Sequence, residues 1–141
     1  MKILEVLTNK RKTGNIGEDI AARALKKDGY KIKERNYVAF DSEIDIIAES
    51  KDTITFVEVK TRTVGRESPM ELRPAAAVTP DKQRKIISAA KYYLGTKNVD
   101  RHVSLDIIEV YLNEDGTKNR VMHLKNAFNI NTAYERKAYR K

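Results

Sequence analysis

The residues that could do chemistry in this sequence lie in two neighbouring apolar segments. The first segment carries Asp45, and the second, after a gap of twelve residues, carries Glu58 and Lys60. Because strand side chains alternate between two faces, Glu58 and Lys60 share a face with the apolar Ile54 and Phe56. A buried charge without a partner costs several kcal/mol in a low dielectric. These charges therefore predict either a functional site or a compensating ion pair.

The polar stretch Glu49–Asp52 is short enough for a hairpin turn, so the two segments are predicted to pair as antiparallel strands. This pairing brings Asp45 and Glu58 to one end of the sheet, where they repel unless a cation lies between them. Mg²⁺ suits such a site, since it takes oxygen ligands and keeps waters that can attack a phosphodiester. Lys60 would then position the water and offset charge on the phosphate. An ion pair of Lys60 with Glu58 or Asp45 is the alternative, and spacing leaves both open.

The elements around these residues follow from the hydrophobic periodicity and the turn signals. Two helices are predicted, from Thr13 or Asn15 to about Asp28, and from Pro80 to Gly95. Strands are predicted at Tyr30–Val38, Ser42–Ala48, Thr53–Thr61, Val103–Leu112 and Arg120–Leu124, with a loop over Gly65–Ala77 and a turn over Asn113–Gly116. In the second strand, Ile44, Ile46 and Ala48 are predicted to share the face opposite Asp45. This order predicts an α/β fold in which helices flank a mixed central sheet.

Composition limits the class of protein and its partners. The sequence has 28 Lys and Arg against 20 Asp and Glu, a formal net charge of +8, and no cysteine. The lack of Cys excludes a disulfide framework, a Cys-based zinc site and a thiol nucleophile, and it favours a cytoplasmic location. No apolar stretch approaches the roughly 20 residues of a membrane span, so no membrane partner is expected. The positive charge favours polyanions such as nucleic acid as partners.

The charge distribution also indicates the domain organisation. We predict a single domain over 13–125, between a basic N-terminal segment (1–12) and a basic C-terminal tail (126–141). Within the domain, Arg62, Lys82 and Gln83 are candidates for contacts with nucleic-acid phosphates. Lys82 and Gln83 lie in the first turn of the second predicted helix, where free N–H groups also favour anions. A solvated helix start is the alternative for these two residues.

The sequence also predicts where two tyrosines and two histidines lie in the fold. Tyr92 and Tyr93 are predicted to pack the second helix onto the sheet rather than to stack on bases. His102 and His123 have no partner at a metal-ligand spacing in the sequence. Both histidines are therefore predicted to lie at the surface.

A longer set of motifs resembles the YraN family of uncharacterised bacterial proteins, from about Gly14 to Leu112. The motifs are Gly14-Asn15-Ile16-Gly17-Glu18-Asp19-Ile20-Ala21-Ala22, Gly29-Tyr30, Glu34-Arg35-Asn36-Tyr37, Glu43-Ile44-Asp45-Ile46-Ile47, Phe56-Val57-Glu58-Val59-Lys60-Thr61-Arg62 and Val78-Thr79-Pro80-Asp81-Lys82-Gln83. The resemblance implies a restriction-endonuclease-like fold with an α-β-β-β-α-β core, related to archaeal Holliday-junction resolvases. It also implies that Glu18 is a further acid at the site of Asp45, Glu58 and Lys60. The sequence departs from the family at Ser42, where Gly is usual, and at Ser104-Leu105-Asp106, where Arg-Phe-Asp is common.

Together these features predict a Mg²⁺- or Mn²⁺-dependent nuclease that hydrolyses structured or single-stranded DNA, with DNA favoured over RNA. In this interpretation Asp45 and Glu58 are metal ligands, Glu18 assists them and Lys60 positions the water. A homodimer is expected if the substrate is a two-fold symmetric four-way junction. The alternatives are a nucleic-acid-binding protein that keeps the acids without cleaving, and an interaction protein in which the acids and Lys60 only form an ion-pair network.

Overall fold

The computed structural model describes residues 3–64, 78–97, 101–113 and 118–129. The elements in chain order are α1 (Ile3–Lys27), β1 (Lys31–Ala39), β2 (Ser42–Glu49), β3 (Thr53–Val64), α2 (Pro80–Lys97), β4 (His102–Asn113) and β5 (Arg120–Phe128). The strands form one five-stranded sheet in the order β1-β2-β3-β4-β5. The β3–β4 pair is parallel and the other neighbours are antiparallel. The predicted α/β fold with a mixed sheet and an α-β-β-β-α-β core is confirmed.

Helix α1 begins at Ile3, so the prediction that Thr13 or Asn15 caps its start is wrong. Thr13 and Gly14 lie inside the helix, because their low helix propensity costs only about 1 kcal/mol each and does not break a long helix. The predicted end is confirmed, since Gly29 has a φ of 92° and the Tyr30 amide donates to the Leu25 carbonyl at 2.9 Å. This glycine conformation closes the last turn and directs the chain into β1.

Helix α2 begins as predicted. Thr79 Oγ1 accepts a hydrogen bond from the Lys82 amide at 3.2 Å, which satisfies one of the free N–H groups of the first turn. Pro80 takes the first helical position, where its missing N–H has no cost. The helix passes the predicted end at Gly95 and finishes at Lys97. The predicted loop over 65–77 and residues 114–116 of the predicted turn lie outside the described residues, while the first turn residue, Asn113, is the last residue of β4.

The two helices cover opposite faces of the sheet. On the α2 side, Phe56 of β3 packs with Ile87 and Tyr93 of the helix in one hydrophobic core. On the α1 side, Val57 of β3 packs with Leu25 in a second core. The alternation predicted for β3 is therefore observed, because adjacent residues of this strand enter opposite cores.

The predicted alternation of β2 fails at one point. Ile46 packs on the α1 side, but Ile44 packs on the α2 side, so the prediction that they share a face is wrong. The neighbouring strand β1 is irregular at the same place. Asn36 lies opposite Asp45, between the pairs Arg35–Ile46 and Tyr37–Ile44, and has a positive φ of 52°. A left-handed residue interrupts the regular pleat of β1, and the change of face in β2 occurs directly opposite it, at Asp45.

Close packing of α1 against β3 depends on Gly17. A Cβ atom added to Gly17 would overlap Oγ1 of Thr61. The helix can therefore approach this part of β3 only if residue 17 has no side chain. The contact holds the first helix, and with it Glu18, near the end of the strand that carries Glu58 and Lys60.

Candidate active site

Asp45 and Glu58 occupy the point where β2 and β3 separate. The antiparallel ladder ends at the pair Ile46–Val57. The next residue is Asp45 on β2 and Glu58 on β3. The Asp45 side chain fills the gap, since its Oδ2 accepts a hydrogen bond from the Val59 amide at 2.8 Å. A carboxylate thus replaces a backbone carbonyl as the partner of β3, which fixes its position at the end of the sheet.

Helix α1 adds a third carboxyl group. Glu18 forms a side-chain hydrogen bond with Asp45 and lies 3.8 Å from the guanidinium of Arg35. Burial raises the pKa of Glu18, as do the negative charges of nearby acids, although Arg35 and the Asp45 hydrogen bond act in the opposite direction. The acid that only the family resemblance implied therefore lies in contact with Asp45.

The environment of Asp45 opposes its ionisation. Burial and the negative charge of Glu58 raise the pKa of Asp45 from its ordinary value of 3.8 to about 7, despite the stabilising Val59 amide and the positive charge of Lys82. Close carboxylates that share a site behave in this way, because both cannot be charged without a large repulsion. A cation bound between them would relieve this repulsion.

Two lysines pair with Glu58. Its side chain is only 7% exposed, and its Oε1 lies 2.7 Å from Nζ of Lys82 and 3.4 Å from Nζ of Lys60. Burial and the hydrogen bond with Lys82 lower the pKa of Lys60. Burial also disfavours the charge of Lys82, but its hydrogen bonds with Glu58 and Lys60 outweigh this and raise its pKa. Lys60 is thus the lysine that loses its proton more readily.

The three acids and Lys82 line one open cleft at the junction of the sheet and α2, whereas Lys60 contacts Glu58 but does not belong to the cleft lining. The volume of the cleft is about 610 Å³, and the lining residues are Glu18, Asp41, Ser42, Glu43, Asp45, Glu58, Thr79, Asp81, Lys82, Lys85 and Ile86. Among the described residues, no group of three or more His, Asp or Glu side chains is already arranged as a metal site. Mg²⁺ does not need one, because it is commonly held by one or two carboxylates and several waters. Asp45 and Glu58 are a donor set that fits this requirement.

The residues predicted to contact nucleic acid are placed differently from one another. Lys82 lies in the cleft, paired with Glu58. Arg62 is exposed near the end of β3, beyond Lys60. Gln83 is buried, and its side-chain amide donates to the carbonyl of Val78 at 3.1 Å. Its side chain therefore stabilises the start of α2 and does not belong to the lining of the cleft.

Comparison with known proteins places these residues in a family. Residues 17–110 match the uncharacterised protein family UPF0102. The chain belongs to this family. A UPF0102 protein of Caldanaerobacter subterraneus subsp. tengcongensis is 47% identical over 122 residues, which cover 85% of this chain and 97% of that protein. A UPF0102 protein of Clostridium acetobutylicum is 42% identical over 121 residues, which cover 85% and 96%. The predicted resemblance to the YraN family is confirmed.

Among solved structures, the UPF0102 chain is similar to that of Pyrococcus furiosus SfsA in complex with Ca²⁺. The match covers 81% of this chain and 62% of the SfsA chain, with a TM-score of 0.32 and 14% identity. This similarity is too low to say anything about function. In the described part of the UPF0102 chain, no helix has both the length and the apolar character needed to cross a membrane.

A second polar group, which was not predicted from the sequence, lies on the α1 side of the sheet. Asp106 is 1% exposed, and its Oδ2 lies 2.6 Å from Nε2 of His123. Burial opposes the charge of Asp106, but hydrogen bonds from His123, Ser104 and the Asn126 amide lower its pKa. The prediction of a surface position is wrong for His123 and correct for His102, which is exposed. In the β4–β5 register His123 pairs with Ile108, two residues after Asp106, and this register is not visible in the sequence.

Proposed function

We propose that this UPF0102 protein is a metal-dependent nuclease that hydrolyses phosphodiester bonds in structured or single-stranded DNA. The observation that carries the proposal is the convergence of Asp45 and Glu58 in one cleft, where repulsion and burial raise the pKa of Asp45 to about 7. Perturbed acids in a cleft are typical of functional sites. Oxygen donors of this kind favour Mg²⁺ or Mn²⁺.

The residues of the chain have distinct roles in this proposal. Asp45 and Glu58 hold the metal ion, which when bound would supply an activated water and neutralise phosphate charge. Glu18 orients Asp45 through their shared hydrogen bond. Lys60, whose pKa is lowered by burial, takes a proton from the attacking water or donates hydrogen bonds to the phosphate. Lys82, which pairs with Glu58 at 2.7 Å, would be available to a phosphate oxygen if the metal ion took its place on Glu58.

The charge of the whole chain supports a polyanionic substrate. The formal net charge is +8, and Arg62 adds an exposed cation on the strand that carries the site. Such charges bind phosphates without reading sequence, so affinity for DNA is expected to fall steeply with salt. A symmetric junction would be cleaved by two copies related by a two-fold axis. The lack of cysteine favours the cytoplasm as the location of this reaction.

A cleavage assay on single-stranded, duplex and four-way-junction DNA with Mg²⁺, Mn²⁺ or EDTA tests the proposal. Asp45→Asn and Glu58→Gln are expected to abolish cleavage, and Lys60→Met to lower turnover about 100-fold while DNA binding persists. Lys33→Met is the matched control, because Lys33 pairs with Glu49 at 3.6 Å outside the cleft. Equal metal-dependent activity of all variants would contradict the proposal and indicate a contaminating nuclease.

One observation favours a second candidate function, an interaction protein with a structural ion-pair network. Glu58 is already neutralised by Lys82 at 2.7 Å and Lys60 at 3.4 Å. If the acids serve only to form this ion-pair network, the wild-type protein neither cleaves DNA nor binds Mg²⁺ or Mn²⁺. Metal titration followed by calorimetry therefore separates the two functions without a substrate.

A further inference from the structure

An exposed aromatic pair lies beside the cleft. Phe40, in the β1–β2 turn, is 72% exposed, and Tyr92, on the outer side of α2, is 51% exposed. Their ring centroids are 5.4 Å apart at an interplanar angle of 73°. The prediction that Tyr92 and Tyr93 both pack the helix onto the sheet is thus correct only for Tyr93, which is buried. Large aromatic side chains that remain this accessible commonly mark a binding surface.

The backbone of Phe40 is strained. Ala39 pairs with Ser42, so Phe40 and Asp41 form a two-residue hairpin turn, and Phe40 has a φ of 59°. A positive φ at the first turn residue is the position that glycine ordinarily takes, because a bulky side chain is disfavoured there. The turn therefore keeps an unfavourable residue whose ring is mostly in solvent. Strain of this kind is typical of functional positions.

The surface around the pair continues into the proposed active site. Phe40 and Tyr92 line a cavity of about 830 Å³, and the other lining residues are Asp41, Asp81, Arg84, Lys85, Ser88 and Lys91. Three of these, Asp41, Asp81 and Lys85, also line the cleft of Asp45 and Glu58. A flexible chain that leaves the cleft would thus pass directly onto the aromatic pair.

The charges next to the rings favour a polyanion over an apolar ligand. The cavity has three cationic side chains and two carboxylates. The two carboxylates pair with two of these cations, Asp41 with Lys85 at 3.4 Å and Asp81 with Arg84, so the cavity has an excess of one positive charge. Aromatic rings among cations are the usual way in which proteins bind single-stranded nucleic acid, because bases stack on the rings while cations follow the phosphates. In a duplex each base is stacked on its neighbours and its faces are covered. The two rings therefore favour single-stranded over double-stranded nucleic acid.

We propose that the Phe40–Tyr92 pair is a stacking site for an unpaired nucleobase of a single-stranded DNA segment that continues into the cleft. Lys85, whose pair with Asp41 joins two side chains that are 55% and 75% exposed, exchanges this carboxylate for the phosphate between the stacked base and the cleft. This inference rests on the proposed function for the direction of the strand, and it narrows the substrate class to DNA with unpaired bases. The stacking itself needs neither metal nor cleavage, so the two proposals can fail separately.

The test is binding of fluorescently labelled oligothymidylate in EDTA, measured by anisotropy for wild type, Phe40→Leu and Tyr92→Leu. Leucine keeps the side chain apolar but removes the ring. Each variant is expected to bind about 5- to 150-fold more weakly, the range for one lost base stack. Val38→Leu is the matched control, because Val38 is on the same hairpin, is 64% exposed and carries no ring. Thermal melting by circular dichroism verifies that the variants are folded.

An oligonucleotide of the same length with abasic sites completes the experiment, since it keeps the phosphates and lacks the bases. Wild type is expected to bind it as weakly as the variants bind oligothymidylate, and the variants to show no further loss. Unchanged oligothymidylate affinity in both folded variants would overturn the stacking site. An equal loss on the abasic strand, or a change of oligomeric state in sedimentation, would also overturn it, the latter by indicating a contact between copies. Cleavage by wild type, lost in Asp45→Asn, decides the nuclease proposal independently.

Discussion

Asp45→Asn is expected to stabilise the metal-free protein at neutral and alkaline pH. Burial and the charge of Glu58 raise the pKa of Asp45 from 3.8 to about 7. The folded state therefore prefers the protonated carboxyl group. The stability that this protonated group contributes is fully present below pH 3.8 and is lost as the pH rises through 7. At about 1.4 kcal/mol per pKa unit, ionised Asp45 lowers the free energy of unfolding by up to about 4 kcal/mol.

Asparagine removes this charge and keeps the local contacts. Its carboxamide oxygen can accept the Val59 amide that Asp45 accepts at 2.8 Å, and its amide group can donate to Glu18. Urea unfolding in EDTA from pH 4 to pH 8.5 measures the difference between variant and wild type. We expect this difference to grow with pH in favour of the variant, by up to about 4 kcal/mol. Asp52→Asn, which removes an exposed acid outside the cleft, is the control and should leave the difference between variant and wild type nearly the same at every pH.

Metal addition gives the second half of this prediction. At pH 8, Mg²⁺ or Mn²⁺ at ten times its dissociation constant should stabilise wild type by about 1.4 kcal/mol and leave Asp45→Asn unchanged. A variant that is less stable than wild type by the same amount at every pH would refute the reasoning. That result would mean that Asp45 is ionised and well paired in the folded protein.

Further predictions concern the supports of the site and the second polar group. Gly17→Ala should destabilise the protein by about 1–3 kcal/mol, because the new Cβ overlaps Thr61, and Thr61→Gly should restore much of the loss; thermal melting measures both. Lys82→Met should cost about 1–3 kcal/mol in urea unfolding without metal, since Glu58 keeps only one cationic partner, and less when Mg²⁺ is bound. Asp106 has a lowered pKa, so its stabilising contribution should be present above pH 4 and lost at lower pH, as acid unfolding of wild type and Asp106→Asn would show.

Each of these predictions has a result that would contradict it. Gly17→Ala with unchanged stability would mean that α1 does not approach β3 closely. Lys82→Met with the same stability as Lys33→Met would mean that the Glu58 pair contributes nothing beyond an exposed pair. Parallel acid unfolding curves for wild type and Asp106→Asn would mean that the buried carboxylate titrates normally.

Local sequence patterns were sufficient to predict most elements. Strand β3 is recognisable from its β-branched residues, and the short polar turn before it identifies the antiparallel partner that carries Asp45. The same reasoning misplaced the start of α1, because a residue suited to capping, such as Asn15, can also lie within a helix. The face of Ile44 was missed because strict alternation along β2 cannot show an irregularity at Asp45, where the opposite residue Asn36 also departs from strand geometry.

The candidate site was predictable only in part, because some of its contacts join elements that are far apart in the sequence. The spacing of Asp45, Glu58 and Lys60 indicates two strands that pair, and strand geometry then brings the acids together. The contact of Lys82 with Glu58 joins α2 to β3 across the segment 65–77, and no sequence spacing specifies such a contact. Likewise, the exposure of Tyr92 depends on which side of α2 meets the sheet. Adjacent tyrosines in a helix give little indication of this.

The central claim is that Asp45 and Glu58 hold a divalent metal ion, and a crystal soaked in Mn²⁺ tests it most directly. Anomalous scattering identifies the position of the metal without reference to activity. We expect an anomalous peak in contact with both carboxylates, and Lys82 displaced from the 2.7 Å contact with Glu58. No peak in the cleft at saturating Mn²⁺, with the Glu58–Lys82 pair intact, would contradict the claim.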